Sequence, residues 1–156
     1  MTLALGDLAP DFDLPTDRGG TLRLSSLRGA PVVVYFYPKD DTPGCTNEAK
    51  DFTAALPAFA AKGVTVIGIS PDGVAAHAKF RSKYELAVEL AADTEKATCV
   101  AWGVWVEKSN YGKKYMGVER STFLVDAEGR IAAIWRKVKV AGHVEEVLAA
   151  AKALKG

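Results

Sequence analysis

The chain has only two thiols, Cys45 and Cys99, and one of them stands where a sulfur can react. The segment Tyr37-Pro38-Lys39-Asp40-Asp41-Thr42-Pro43-Gly44-Cys45 joins an apolar run to a helical pattern, which puts Cys45 in the first helical turn. The free N–H groups and the positive dipole end of such a turn favour negative charge on sulfur. The thiolate is the nucleophilic form of cysteine, so the position activates it. Two effects oppose this. The helical phase turns Cys45 toward the apolar face, where burial disfavours charge. Asp40 and Asp41 would add to that if they pointed inward, and the expectation is that they face solvent. A cation from elsewhere in the fold is therefore required, because neither histidine is near in sequence. Thr42 precedes Cys45 by three residues. Its hydroxyl can hydrogen-bond a group held at the sulfur, or it can cap the helix.

Cys99 has a different setting. Ala97, Val100 and Ala101 flank it, which is the context of a small buried hydrophobe. Two cysteines and two histidines, widely spaced, do not make a zinc site, and no metal or cofactor is expected.

The elements that must position Cys45 are legible. Val32 to Tyr37 is a continuous β-branched and aromatic run, the pattern of a strand buried on both faces. Pro38 ends it. A helix follows from about Pro43, a residue suited to the first turn. Cys45, Ala49, Phe52, Leu56 and Phe59 fall on one helical face. Pro57 should kink or end this helix. Val64 to Ser70 reads as a second buried strand, residues 74–84 as a helix and Val88 to Leu90 as a short strand. Asp93 is placed to cap a short helix that stops at Gly103. Residues 121–126 and 130–138 read as strands joined by Ala127-Glu128-Gly129, and Ala141 to Leu154 as a closing helix. Near the start, Asp11 to Leu14 and Thr21 to Leu24 flank Asp17-Arg18-Gly19-Gly20, which suggests an extra hairpin. This alternation predicts an α/β protein of thioredoxin-like fold: a central mixed sheet flanked by helices, with an additional N-terminal β-hairpin. Residues 1–156 are expected to form a single domain.

Composition fits that reading. The chain is 49% hydrophobic and 25% charged, with a formal net charge of +1, so no strong field recruits nucleic acid or an anionic membrane. No stretch approaches the roughly 18 apolar residues of a membrane span. The N-terminus has neither a basic region nor a long apolar stretch, so a secretory signal is not expected and the cytoplasm is the expected compartment.

The pattern Pro38-x-x-x-Thr42-x-x-Cys45, after a buried strand and opening a helix, resembles the active-site signature of the peroxiredoxin family. Gly6-Asp7-Leu8-Ala9-Pro10-Asp11-Phe12 is similar to that family's opening, and Gly68-Ile69-Ser70 to the end of its next strand. Trp102-Gly103-Val104-Trp105, Glu107-Lys108, Gly112-Lys113, Tyr115, Gly117 and Arg120-Ser121-Thr122-Phe123-Leu124-Val125-Asp126 resemble the bacterioferritin comigratory protein (PrxQ) subgroup. The resemblance spans nearly the whole chain. It implies a peroxidase in which Cys45 attacks a peroxide and becomes a sulfenic acid. It also implies that Arg120 is the missing cation, that Thr42 and Arg120 stabilise the transition state, and that Pro38 shields the thiolate. Glu48 is then either a residue that orients Arg120 or a plain surface residue of the helix.

The sequence departs from many PrxQ relatives at Lys50, where they carry a resolving cysteine; the helix at 74–84 has none either. The expected cycle therefore uses one cysteine, with an external reductant such as thioredoxin, glutaredoxin or a small thiol. The alternatives are an intramolecular Cys45–Cys99 disulfide, or a redox sensor or chaperone on the same scaffold. The resemblance implies a monomer or weak dimer. A thioredoxin-type oxidoreductase is disfavoured: the fourth position of its Cys-x-x-Cys is Glu48 here, and no proline follows Pro71.

Overall fold

The computed structural model describes residues 3–154. Its centre is a five-stranded mixed sheet. The strands are β3 (Val32–Phe36), β4 (Thr65–Ser70), β5 (Glu89–Ala92), β8 (Ser121–Val125) and β9 (Ile131–Trp135), in the order β5-β4-β3-β8-β9. β3 runs parallel to β4 and antiparallel to β8. The expected N-terminal hairpin is present as β1 (Asp13–Pro15) and β2 (Thr21–Arg23). Among the described residues there are four α-helices: α1 (Pro43–Ala61), α2 (Val74–Tyr84), α3 (Ala97–Ala101) and α4 (His143–Ala153).

All five residues of β3 are buried, as expected of a central strand. Alternation along it divides the core in two. Val33, Tyr35 and Tyr37 pack with Cys45, Ala49, Phe52 and Phe59 of α1 and with Val144 and Val147 of α4. Val32, Val34 and Phe36 pack on the opposite face with Cys99, Trp102 and Val104 and with Phe12 of the N-terminal segment. The sheet therefore lies between the two cysteines.

Two features differ from expectation. Pro57 does not end α1, which continues to Ala61. Pro57 faces solvent, where water can satisfy the carbonyl that loses its N–H partner. A second antiparallel hairpin, β6 (Trp105–Asn110) with β7 (Lys113–Val118), stands where no strands are expected. It is mostly solvated on both faces, so it carries no clean alternation of apolar and polar residues. Among the described residues, no helix is long and apolar enough to cross a membrane.

Candidate active site

Cys45 sits at the C-terminal end of β3, the end at which open α/β sheets present their sites. Tyr37 leaves the strand, the loop 38–42 turns, and α1 begins. Thr42 occupies the N-cap with extended backbone, and its carbonyl accepts from the N–H of Thr46 at 2.8 Å. Its hydroxyl does not cap the helix. It donates to the Lys39 carbonyl at 2.9 Å, which leaves the oxygen free to accept from a group at the sulfur. Pro38 is half-buried at the start of the loop.

The antiparallel register of β3 and β8 brings the cation. Phe36 pairs with Ser121, so the residue before Ser121 lies beside the end of β3. That residue is Arg120. Its Nη2 donates to Cys45 Sγ at 3.2 Å, and its Nη1 donates to Glu48 Oε1 at 2.6 Å. One planar guanidinium thus bridges two α1 side chains one turn apart, a fork that lysine could not reproduce. Gly44 makes room for it: a Cβ there would stand 3.1 Å from Arg120 Nη2.

Cys45 is 1% exposed and Glu48 is fully buried, so Glu48 is not a surface residue. Burial pushes the Glu48 carboxyl up to about 7, and the charge and hydrogen bond of Arg120 only partly offset this. Its second oxygen, Oε2, is buried with no hydrogen-bond partner among the described residues, where a proton is easily held. Arg120 itself is pushed above its ordinary range: burial opposes this, but Glu48 and Cys45 outweigh it. Behind the site, His143 Nε2 pairs with the Thr122 hydroxyl at 2.8 Å. Burial, and secondarily the charge of Arg120, lowers His143 to about 4, so it is neutral near pH 7.

The two acidic residues of the loop diverge. Asp41 is exposed and pairs with Lys83 and Tyr84 of α2 at 2.8 and 2.6 Å. Asp40, expected in solvent, is buried, because it turns away from the sulfur toward α2 and accepts from Tyr37 Oη and pairs with His77 Nδ1, both at 2.6 Å.

Cys99 lies at the opposite face. The Asp93 carboxylate takes the N–H groups of Thr98 and Cys99 at 3.3 and 2.7 Å, the capping role expected of it. Burial first, and Asp93 second, raise the Cys99 thiol far above the ordinary thiol range. It is a poor nucleophile near neutral pH.

The structure brings Cys45, Thr42 and Arg120 together around the start of α1, with Pro38 opening the same loop. Sequence reasoning passed over Gly44, whose role depends on a side chain far along the chain, and the Asp40–His77 pair. Among the described residues, no group of His, Cys, Asp and Glu could hold a metal ion.

Comparison with known proteins gives the family. The family model of the AhpC/TSA family matches residues 5–134. Peroxiredoxin Bcp of Bacillus subtilis is 50% identical over 148 residues, which are 95% of this chain and 94% of that one. A structure of the Xanthomonas campestris bacterioferritin comigratory protein, solved for its alkyl peroxide reduction activity, matches with a TM-score of 0.89 at 46% identity, covering 97% of this chain and 96% of that one. A cysteine-to-serine mutant of Xylella fastidiosa PrxQ matches with a TM-score of 0.93 at 38% identity over 98% of both chains. A buried thiol at a helix start, an arginine donating to it and kinship along the whole chain converge: the chain belongs to the AhpC/TSA family, as a peroxiredoxin of the Bcp/PrxQ type, an enzyme that reduces peroxides at the expense of thiols.

Proposed function

We propose that Cys45 is the attacking thiol, that Arg120 and Thr42 are its catalytic partners, and that the enzyme works by a one-cysteine cycle. The observation that carries this is the 3.2 Å contact from Arg120 Nη2 to Cys45 Sγ. The cation stabilises negative charge on the sulfur and stays beside the peroxide oxygens as charge develops on them. The Cys45 thiolate attacks one oxygen of ROOH, the O–O bond breaks, and an S–O bond forms. The other oxygen leaves as RO⁻ and takes up a proton as ROH. The free lone pairs of Thr42 Oγ1 accept from the bound peroxide, and Pro38 limits water at the thiolate. The product is a Cys45 sulfenic acid. One external thiol condenses with it, releasing water and forming a mixed disulfide; a second releases Cys45 and leaves as disulfide. Thioredoxin, glutaredoxin or a small thiol can supply these equivalents.

The one-cysteine cycle is supported by the sheet between Cys45 and Cys99 and by the inert setting of Cys99. Residues 1–156 act as one peroxiredoxin domain, a reading supported by a continuous sheet with core on both faces. Two buried free thiols suit a reducing cytoplasm. The test adds one equivalent of peroxide, alkylates the thiols and measures the mass. Sulfenic acid at Cys45 with Cys99 alkylated is the expected result. A loss of two hydrogens with both thiols blocked would overturn the one-cysteine cycle. Cys45→Ser should abolish peroxide consumption; retained activity would overturn the assignment of the thiol.

A further inference from the structure

The loop 38–42 is tied to the body of the protein by a buried polar chain that the peroxide chemistry does not use. Asp40 is its hub. Its carboxylate accepts from Tyr37 Oη at 2.6 Å through Oδ1 and contacts His77 Nδ1 at 2.6 Å through Oδ2. Its backbone N–H donates to Asp72 Oδ2 at 2.8 Å, an oxygen that also accepts from Ser70 Oγ at 2.7 Å. His77 is fully buried and uses its other nitrogen, Nε2, against the Ala91 carbonyl of β5 at 3.0 Å.

The chemistry of these partners fixes the protons. A carbonyl can only accept, so Nε2 carries a hydrogen. A carboxylate oxygen likewise only accepts, so Nδ1 facing the Asp40 carboxylate carries one as well. His77 is thus an imidazolium in a neutral ion pair with Asp40.

We propose that His77 is a positioning residue for the peroxidatic thiol: as a doubly donating imidazolium, it clamps Asp40, and with it the loop that presents Pro38, Thr42 and Cys45, against α2 and β5. This rests on Cys45 being the attacking thiol. Loss of the proton opens the clamp. Nδ1 would then offer a lone pair to a carboxylate, and the pair would carry an uncompensated negative charge in a buried site. Asp72 lies on the same side and would repel that charge. The groups that face His77 are Asp40 from the loop, Tyr37 from the end of β3, Asp72 from the turn before α2, whose carboxylate accepts from Ser70 at the end of β4, and the Ala91 carbonyl of β5. The next charged residue along that face of α2, Arg81, is engaged with Asp17. Burial pulls His77 down, but the hydrogen bond and charge of Asp40 outweigh it and hold the ring above the ordinary histidine range. Protonation thus extends to higher pH than in a free histidine and is lost as pH rises further.

The experiment combines two readouts. Nitrogen-15 NMR of the histidine rings in the intact protein at pH 6.5 should show both nitrogens of His77 protonated, with a midpoint above that of a free histidine. Stopped-flow measurement of Cys45 oxidation by hydrogen peroxide across pH 6–9 should show a several-fold fall as that midpoint is crossed. The fall should be absent in His77→Gln, which has no titrating group there. A bare nitrogen on His77 at pH 6.5 would overturn the proposal without any variant. So would superimposable pH profiles for wild type and His77→Gln. If Cys45→Ser still consumes peroxide while NMR shows the imidazolium, the assignment of the thiol fails and the clamp stands.

Discussion

Arg120 reaches Cys45 across the space that Gly44 leaves empty, for a methyl group at Gly44 would lie 3.1 Å from Arg120 Nη2. That nitrogen is the one that donates to the sulfur. The backbone of Gly44 is not in the left-handed region, so alanine is conformationally acceptable there. Gly44→Ala should therefore leave the fold intact and displace the guanidinium by a few tenths of an ångström. The expected result is a roughly tenfold lower rate constant for Cys45 oxidation with an unchanged melting temperature, since small misplacements at a reacting centre are expensive. An unchanged rate constant would show that Arg120 tolerates the shift.

The two branches of the Arg120 fork can be separated. Arg120→Lys keeps the charge but cannot serve Glu48 Oε1 and Cys45 Sγ together. It should lower the rate constant with peroxide by about a hundredfold, comparable to removing one donor from an oxyanion site. Glu48→Gln keeps an acceptor for Nη1 and should lose far less activity than Glu48→Ala. Competition kinetics for hydrogen peroxide would rank the three.

Stability should respond to pH through two groups of opposite sign. The Glu48 carboxyl ionises at about 7 in the fold and at 4.5 when free. Between these values the unfolded chain has released its proton and the folded one has not, so stability falls as pH rises, by up to about 3 kcal/mol. His143 behaves in reverse. It ionises at about 4 in the fold and at 6.5 when free, so stability is lost as pH falls from 6.5 toward 4. The wild-type profile should be nearly flat over pH 4.5–6.5, while Glu48→Gln should become steadily more stable with rising pH. Urea unfolding at several pH values measures this; a flat profile in Glu48→Gln would refute the opposing pair.

Cys99→Ala should leave peroxide turnover with an external thiol unchanged and cost about 1 kcal/mol of stability from the small cavity it opens. Steady-state assays with thioredoxin, glutaredoxin and glutathione systems, run in parallel, give the comparison and identify the preferred reductant. Turnover that collapses in Cys99→Ala would make Cys99 a resolving thiol.

What could be read from the sequence was local. The run Val32–Tyr37 and the apolar face through Cys45, Ala49, Phe52 and Phe59 state their own structure, so the strand, the helix and the placement of the thiol were all legible. Arg120 was reached only by resemblance, because its proximity comes from the β3–β8 register, which no short-range pattern encodes. Asp40 looked solvated because its partner, His77, stands 37 residues away on another helix. The β6–β7 hairpin was missed because it buries too little to imprint a period on its residues. Pro57 misled because a solvent-facing proline can be tolerated in a long helix.

The sheet that divides Cys45 from Cys99 also sets how the molecule fails. In the proposed cycle no thiol of the same chain can intercept the Cys45 sulfenic acid, so the lifetime of that acid is decided by encounters with outside reductant. While thiols are plentiful, it is recycled. When they run short, a second peroxide reaches it first and carries the sulfur to the sulfinic state, from which ordinary thiols do not return it. The fraction of chains lost in this way then records the ratio of oxidant to reductant that the protein has met, as a fuse records an overload.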